Sequence, residues 1–268
     1  MRPWTLPPLL VVASICITPA AVANDRLHYT AGSDTSAFTE CGFTLADVNA
    51  DAAALDGLPA GVLGLVWVGD NPEEGASDAW KASVSSVCAH PKTWGYYIAD
   101  EPLPTLPIAA LRARATYVHS ACPHAETFIV LDNDGTDAQP EFRFTPANTG
   151  ISLFGIDPYP FKADIVNLTI INTSVYGAID VGIPKEKLVP VYQAFGGGNQ
   201  PSCPTGGCWV MPSVSQSEAM LQVWDSLLPA PVFDMVYAWG VQLNDTSLKI
   251  GSSALRSLYA MRNRKGAQ

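Results

Sequence analysis

The chain has 268 residues, of which 48% are hydrophobic and 15% charged, so it can bury a sizeable core and does not read as a disordered tract. Its net charge of −10 speaks against nucleic acid and anionic membrane surfaces as partners, because both require a basic face. That length fits one large domain or two small ones.

Residues 1–23 read as a secretory signal peptide. Arg2 supplies the positive start, residues 9–17 a short apolar run, and Ala21-Val22-Ala23 the small-x-small cleavage pattern. The run is too short to span a membrane, and no other stretch approaches that length. The expected product is a secreted, extracellular chain beginning near Asn24. Beyond Cys16 five cysteines are left, and an oxidising compartment favours their pairing. Cys203 and Cys208 flank a flexible Pro204-Thr205-Gly206-Gly207 turn and form the first expected pair. Cys88 and Cys122 each end a predicted helix and form the second. Cys41 is left over, or displaces a partner in either pair. No Cys-x-x-Cys or His-Cys cluster favours zinc. Of the sequons at Asn167, Asn172 and Asn244, Asn172 falls on an apolar helical stripe.

From there the pattern alternates. A strand at Leu27–Thr30 precedes a doubtful short strand near 41–43 and an alanine-rich helix over 46–55. A strand at 62–68 leads to a helix capped by Ser77 that runs through Ala89. A strand over 95–99 is followed by a helical stripe of Ile108, Leu111, Ala115 and Val118. Strands at 127–131 and 152–156 precede a second stripe of Ile165, Leu168, Val175 and Ile179. A strand at Leu188–Gln193 leads to a capping box, Ser215-x-x-Glu218, ahead of Met220, Leu221, Trp224 and Leu227. The last strand covers 233–239, and Ala254, Leu258 and Met261 mark a closing helix. Such alternation points to a single α/β domain over 24–268, and seven clear strands plus one doubtful one favour a (β/α)8 TIM barrel. The open doubly wound sheet is disfavoured, because no Gly-x-Gly-x-x-Gly follows the first strand.

Barrel chemistry sits at the C-terminal strand ends. The third strand ends at Trp67 and Asp70, the fourth at Asp100-Glu101-Pro102, and the fifth at Asp132-Asn133-Asp134. The sixth gives Asp157-Pro158-Tyr159-Pro160, the seventh Gln193 and Phe195, and the eighth Tyr237, Trp239 and Gln242. Acids and amides bond hydroxyls, and flat rings pack on the apolar faces of pyranoses. A carbohydrate is therefore the expected partner, and no cofactor, metal or oligomer is indicated; the expected state is a monomer. Asp132 to Asp134 lack EF-hand spacing. His28, on the first strand, could reach the mouth. The glycine-rich segment 196–213 could cover part of the cleft.

Three motifs then carry a resemblance. Tyr97-Ile98-Ala99-Asp100-Glu101-Pro102, Gly155-Ile156-Asp157-Pro158-Tyr159-Pro160 and Gln193-Ala194-Phe195-Gly196 together resemble a group of poorly characterised glycosidase-like barrels. An acid followed by Glu-Pro at the fourth strand end is similar to the large clan of (β/α)8 glycoside hydrolases. The resemblance implies Glu101 as general acid/base. The chain departs from the clan in two places: Asp100 stands where Asn is usual, and Gln193 where the seventh strand usually carries a nucleophilic glutamate. An amide cannot replace that carboxylate.

Three readings follow. Glu101 works with Asp157 or Asp132 as second carboxylate; or Asp100 and Glu101 act as an adjacent pair, as in substrate-assisted hexosaminidases; or the barrel only binds a glycan. The second requires both side chains to enter one site, against the alternation of a strand, so the backbone must turn. Tyr159, Gln193, Trp239, Tyr237, Trp67 and Asp132 are the expected substrate contacts. In the alternative in which Glu101 is structural, Arg112 or Arg114 pairs with it.

Overall fold

A computed structural model describes residues 26–198 and 208–265. The leader-like residues 1–23 and Cys203 lie outside them. Eight parallel strands close into a barrel in the order β1-β2-β3-β4-β5-β6-β7-β9. They are β1 (Leu27–Thr30), β2 (Leu45–Asn49), β3 (Leu63–Trp67), β4 (Thr93–Asp100), β5 (Glu126–Leu131), β6 (Leu153–Ile156), β7 (Leu188–Gln193) and β9 (Phe233–Tyr237). Two short strands, β8 (Phe195–Gly197) and β10 (Asp245–Ser247), pair antiparallel outside the barrel. The expected (β/α)8 fold is therefore present, and the strand ending in Asp100 is the fourth.

Helices α1 (Thr35–Cys41), α2 (Ala52–Asp56), α3 (Asp78–Val87), α4 (Ile108–Ala121), α5 (Pro146–Thr149), α6 (Thr169–Asp180), α7 (Val214–Leu227) and α8 (Ser253–Lys265) follow their strands around the outside. The core has two layers. Outward residues such as Val66, Ile98, Ile129 and Phe154 pack under the helices. Inward residues fill the barrel, and aromatic rings dominate there. Trp94 and Phe128 both meet Phe233 edge-on, at 5.4 and 4.9 Å, and Phe128 in turn tilts against Tyr97 at 4.8 Å. Gly155 on β6 makes room for this packing: a Cβ there would lie 2.9 Å from the side chains of Phe128 and Val130.

Several expected boundaries move, each for a local reason. The second strand is Leu45–Asn49, not 41–43, and the alanine-rich stretch is helical only over Ala52–Asp56. Pairing on both sides, to β1 and β3, overrides the helix preference of alanine, and Asp51 starts the helix late by accepting from the Ala53 N–H. The α6 stripe is Ile170, Ile171, Val175 and Ala178; Ile165 is exposed, in a turn where its carbonyl accepts from Lys162 N–H. The capping box uses Ser213 and Gln216, two residues before the expected pair. On α8, Leu255 and Tyr259 are buried and Met261 faces solvent. His28 does not reach the mouth. Its neighbour Tyr29 points inward, so His28 points outward, where Nδ1 lies 2.8 Å from Asp234 Oδ1.

Cys88 and Cys122, the residues after α3 and α4, form a disulfide with Cα atoms 5.6 Å apart. Cys41 is free and buried, and burial pushes its thiol up to about 11. Cys208 is disulfide-bonded; its expected partner falls outside the described residues. The Cys88–Cys122 bridge spans 34 residues of sequence, a loop whose closure restricts the unfolded chain by roughly 3–4 kcal/mol. The double substitution Cys88→Ala/Cys122→Ala is expected to lower stability by roughly 2–4 kcal/mol, read as a lower urea midpoint with the cooperative transition retained.

Candidate active site

The C-terminal strand ends open into a cleft of about 490 Å³. Its acids are Asp100 and Glu101 from β4, Asp132 after β5, and Asp157 after β6; aromatic rings of Tyr159, Phe195, Trp209 and Tyr237 line it with them.

How two adjacent acids reach one cleft is decided inside β4. Tyr97 pairs with Phe128 of β5, but the next partner, Ile129, pairs with Ala99, so Ile98 is an extra residue. In this bulge Ile98 and Ala99 both face outward. Asp100 then pairs with Val130, an inward residue, and so faces inward like Tyr97 three positions earlier. Strict alternation from Tyr97 would have turned Asp100 out toward the helices. One residue later Glu101 takes a left-handed backbone, φ 38°, and its N–H returns to Val130 O at 3.1 Å. The chain turns at that point, and Glu101 lines the cleft beside Asp100. Such a backbone conformation is uncommon for a non-glycine residue and carries strain.

The acids hold one another in unequal states. Asp157 and Glu101 share a side-chain hydrogen bond. Burial, then the charge and hydrogen bond of Glu101, then Asp100 and Asp132, hold the Asp157 carboxyl well above the ordinary carboxylate range, so it keeps its proton. Two carboxyls in hydrogen-bond contact sit closer than the roughly 5 Å spacing of a retaining pair. Asp100 accepts from the Tyr97 hydroxyl at 2.5 Å. Solvent reaches it through the cleft, yet protein crowds its other sides. Burial is the main reason its pKa is raised to about 6, with Glu101 and Asp47 adding to the rise and Tyr97 opposing it. No described arginine pairs with Glu101: Arg112 bonds Asn148 O, and Arg114 bonds five other carbonyls.

Three expected substrate contacts, Gln193, Trp239 and Trp67, do not line the cleft. Gln193 is fully buried. Its Oε1 accepts from Phe161 N–H at 2.9 Å, and its Nε2 faces the carbonyls of Phe161, Phe195 and Val210 at 3.0–3.3 Å. It clamps the loops after β6 and β7 and is not free for a ligand. A glutamate here would set a carboxylate against three carbonyl oxygens, which explains why the seventh strand carries an amide. Trp239 is also fully buried: the chain leaves β9 at Tyr237, and the indole packs on Phe43 and donates to Asp34. It offers no platform to a sugar.

The other expected contacts, Asp132, Tyr159 and Tyr237, stand at the mouth. Asp132 lines the cleft and accepts locally from Asn133 N–H at 2.7 Å. Tyr159, held between Pro158 and Pro160, meets Phe195 and Trp209 edge-on at 4.9 and 5.6 Å. Tyr237 is half-buried and donates to Gln242. Trp67 stands behind Tyr97, 5.0 Å away edge-on, and is not among the lining residues.

Four residues with no local signal in the sequence also shape the site. Tyr97 was hidden by the bulge. Asp47 on β2 accepts from Gly32 N–H and Tyr29 and adds negative charge behind Asp100. Lys162 and Trp209 come together through a bridge between separate loops, and the Lys162 Nζ lies 5.1 Å from the indole and 3.7 Å from Asp137. Trp209 thus brings the segment after β7 over the cleft edge; residues 199–207 of that segment lie outside the described set. Among the described residues no cluster of His, Cys, Asp and Glu suited to a metal occurs.

An acid whose folded pKa exceeds its unfolded value binds more protons folded than unfolded between the two, so stability falls as pH rises through that window. For Asp100 the window runs from about 4 up to about 6. Asp100→Asn is therefore expected to raise Tm by a few degrees near neutral pH and to lose that advantage below about pH 4, measured by calorimetry across pH.

No family model and no curated protein sequence matches the chain. Solved structures with a similar fold include a GH18 chitinase from the chitin utilization locus of Flavobacterium johnsoniae, at 11% identity. It covers 90% of this chain and 94% of that one with a TM-score of 0.54. A class V chitinase from Nicotiana tobaccum matches at 10% identity over 89% and 98%, TM-score 0.55. A fungal endo-beta-N-acetylglucosaminidase of glycosyl hydrolase family 18 matches at 11% over 89% and 97%, TM-score 0.54. At such identities the likeness is one of fold.

Proposed function

We propose that this chain is a glycoside hydrolase in which Glu101 is the general acid/base and Asp100 the second carboxylate. The observation that carries the reading is that Asp100 and Glu101, adjacent in sequence, enter the same cleft at the end of the fourth strand. Gln193 is clamped on backbone, so a seventh-strand nucleophile plays no part. Of the earlier readings, the adjacent pair is the one these two facts support best.

In this mechanism Glu101 enters as the acid, and Asp157 keeps its proton throughout. The Glu101 proton passes to the glycosidic oxygen as the C1–O bond breaks, and the leaving alcohol departs neutral. Asp157, which keeps its own proton, donates a hydrogen bond to the resulting carboxylate. Asp100, held by Tyr97, faces the developing positive charge at C1 and orients a substrate acetamido group. Water then attacks C1 and returns a proton to Glu101. Tyr159, Trp209 and Tyr237 supply ring faces and edges for the sugar, and Asp132 a hydroxyl acceptor. One of the solved structures similar in fold, a class V chitinase, holds NAG4, which makes N-acetylglucosamine oligomers the first substrates to test.

The Cys88–Cys122 disulfide supports an oxidising compartment, and with the leader-like residues 1–23 it favours secretion.

Glu101→Gln is expected to lower kcat on a cleaved oligosaccharide by roughly 10²–10⁴-fold while the oligosaccharide still binds. Unchanged turnover would remove Glu101 from the mechanism. Glycan binding by a wild-type protein that cleaves no glycoside would instead make the barrel a lectin-like binder.

A further inference from the structure

Arg114, in the middle of α4, is 1% exposed, and no described carboxylate pairs with it. All its hydrogen bonds go to main-chain carbonyls. Nε donates to Gly75 O at 2.9 Å. Nη1 donates to Val68 O at 3.2 Å and Ile98 O at 2.7 Å. Nη2 donates to Asp70 O at 2.6 Å and Asn71 O at 2.8 Å. These bonds match the five N–H donors of a guanidinium. The plane also rests on Trp80, 5.1 Å from its ring, and Trp80 Nε1 shares the Val68 carbonyl.

One of the five bonds reaches the residue on which the site depends. Ile98 is the extra residue of the β4 bulge, unpaired in the ladder with β5. Its carbonyl, turned toward α4, needs a donor there, and Arg114 is that donor. The other four bonds anchor the same guanidinium to the end of β3 and the loop after it. The bulge is thereby fixed against the neighbouring strand end. If it flattened, alternation from Tyr97 would turn Ala99 inward and Asp100 outward, off the Tyr97 hydroxyl.

We propose that Arg114 is a positioning residue of the active site, holding the Ile98 bulge so that Asp100 and Glu101 enter the cleft together. It acts from behind the strand, through the main chain, without touching substrate. The inference rests on the hydrolytic reading for its kinetic consequence and on geometry alone for the position of Asp100.

The test uses Arg114→Lys, which keeps the charge but offers three donors without the fork, and Arg114→Ala with added guanidinium. With native circular dichroism confirmed, Arg114→Lys is expected to lose about 100-fold in kcat with little change in KM, since the reacting groups shift while the aromatic wall does not. Guanidinium is expected to restore turnover to Arg114→Ala and to have no such effect on Glu101→Gln. A crystal structure of Arg114→Lys is expected to show Asp100 separated from Tyr97. Wild-type kcat in folded Arg114→Lys, or Asp100 still bonded to Tyr97 there, overturns the proposal. So does guanidinium that raises the Tm of Arg114→Ala without restoring turnover. If the wild-type protein cleaves no glycoside, the hydrolytic reading fails, and the Arg114→Lys crystal structure decides the positioning role by itself.

Discussion

The Ile98 carbonyl has no partner in its own sheet, and the site depends on where it goes. A barrel strand normally commits every carbonyl to a neighbour, and side chains then alternate without choice. By inserting Ile98 without a β5 partner, β4 gives up that regularity and gains a phase shift: Tyr97 and Asp100 both face inward, three residues apart. The orphaned carbonyl is satisfied only because α4 carries a buried guanidinium to it. The same guanidinium binds four carbonyls around the end of β3, so the bulge is part of a rigid corner rather than a slack turn.

Above that corner, the barrel sets polar groups on an apolar column. The rings from Trp94 through Phe233 and Phe128 to Tyr97 pack in a column up the interior, and the column ends in a phenol. Tyr97 can therefore fill core space and still bond Asp100. Tyr29 does the same for Asp47 one strand pair away. The acids are crowded and partly desolvated, which works against stability and holds the Asp157 carboxyl above the ordinary carboxylate range. Such an arrangement is expected of a site that needs a proton donor and an ionised partner at the same time.

Gln193 and Asp100 show how the same barrel rim sorts structural from chemical residues. Both end a strand, and both point inward. Gln193 is covered by the loops after β6 and β7 and satisfies their backbone; its amide offers donors that a carboxylate lacks. Asp100 is left open to the cleft with one phenol as its fixed partner. The aromatic group of Tyr159, Phe195, Trp209 and Tyr237 packs edge-on together and lines the cleft with the acids, the Tyr159 and Tyr237 hydroxyls close enough to feel their charge.

Much of this was legible along the chain. Alternating apolar runs and helical stripes specify strands and helices locally, because each must bury one face, and their order implies a closed parallel barrel. Strand ends at Asp100-Glu101, Asp132, Asp157-Pro158-Tyr159 and Tyr237 were readable because a parallel barrel places its chemistry at those ends. The Cys88–Cys122 bridge followed from two helix ends on neighbouring units. What stayed hidden depended on partners far away in sequence. The second strand sits in an alanine-rich stretch and is made a strand by its neighbours. Trp239 turns outward because the chain leaves β9 after Tyr237. Gln193 is a clamp because Phe161 and Val210 fold over it. The composition of the sequence thus determined the barrel and the set of acids at its mouth. Which acids face one another was decided by the tertiary structure, because a single unpaired residue reverses strand parity and only a guanidinium from another element can hold it there.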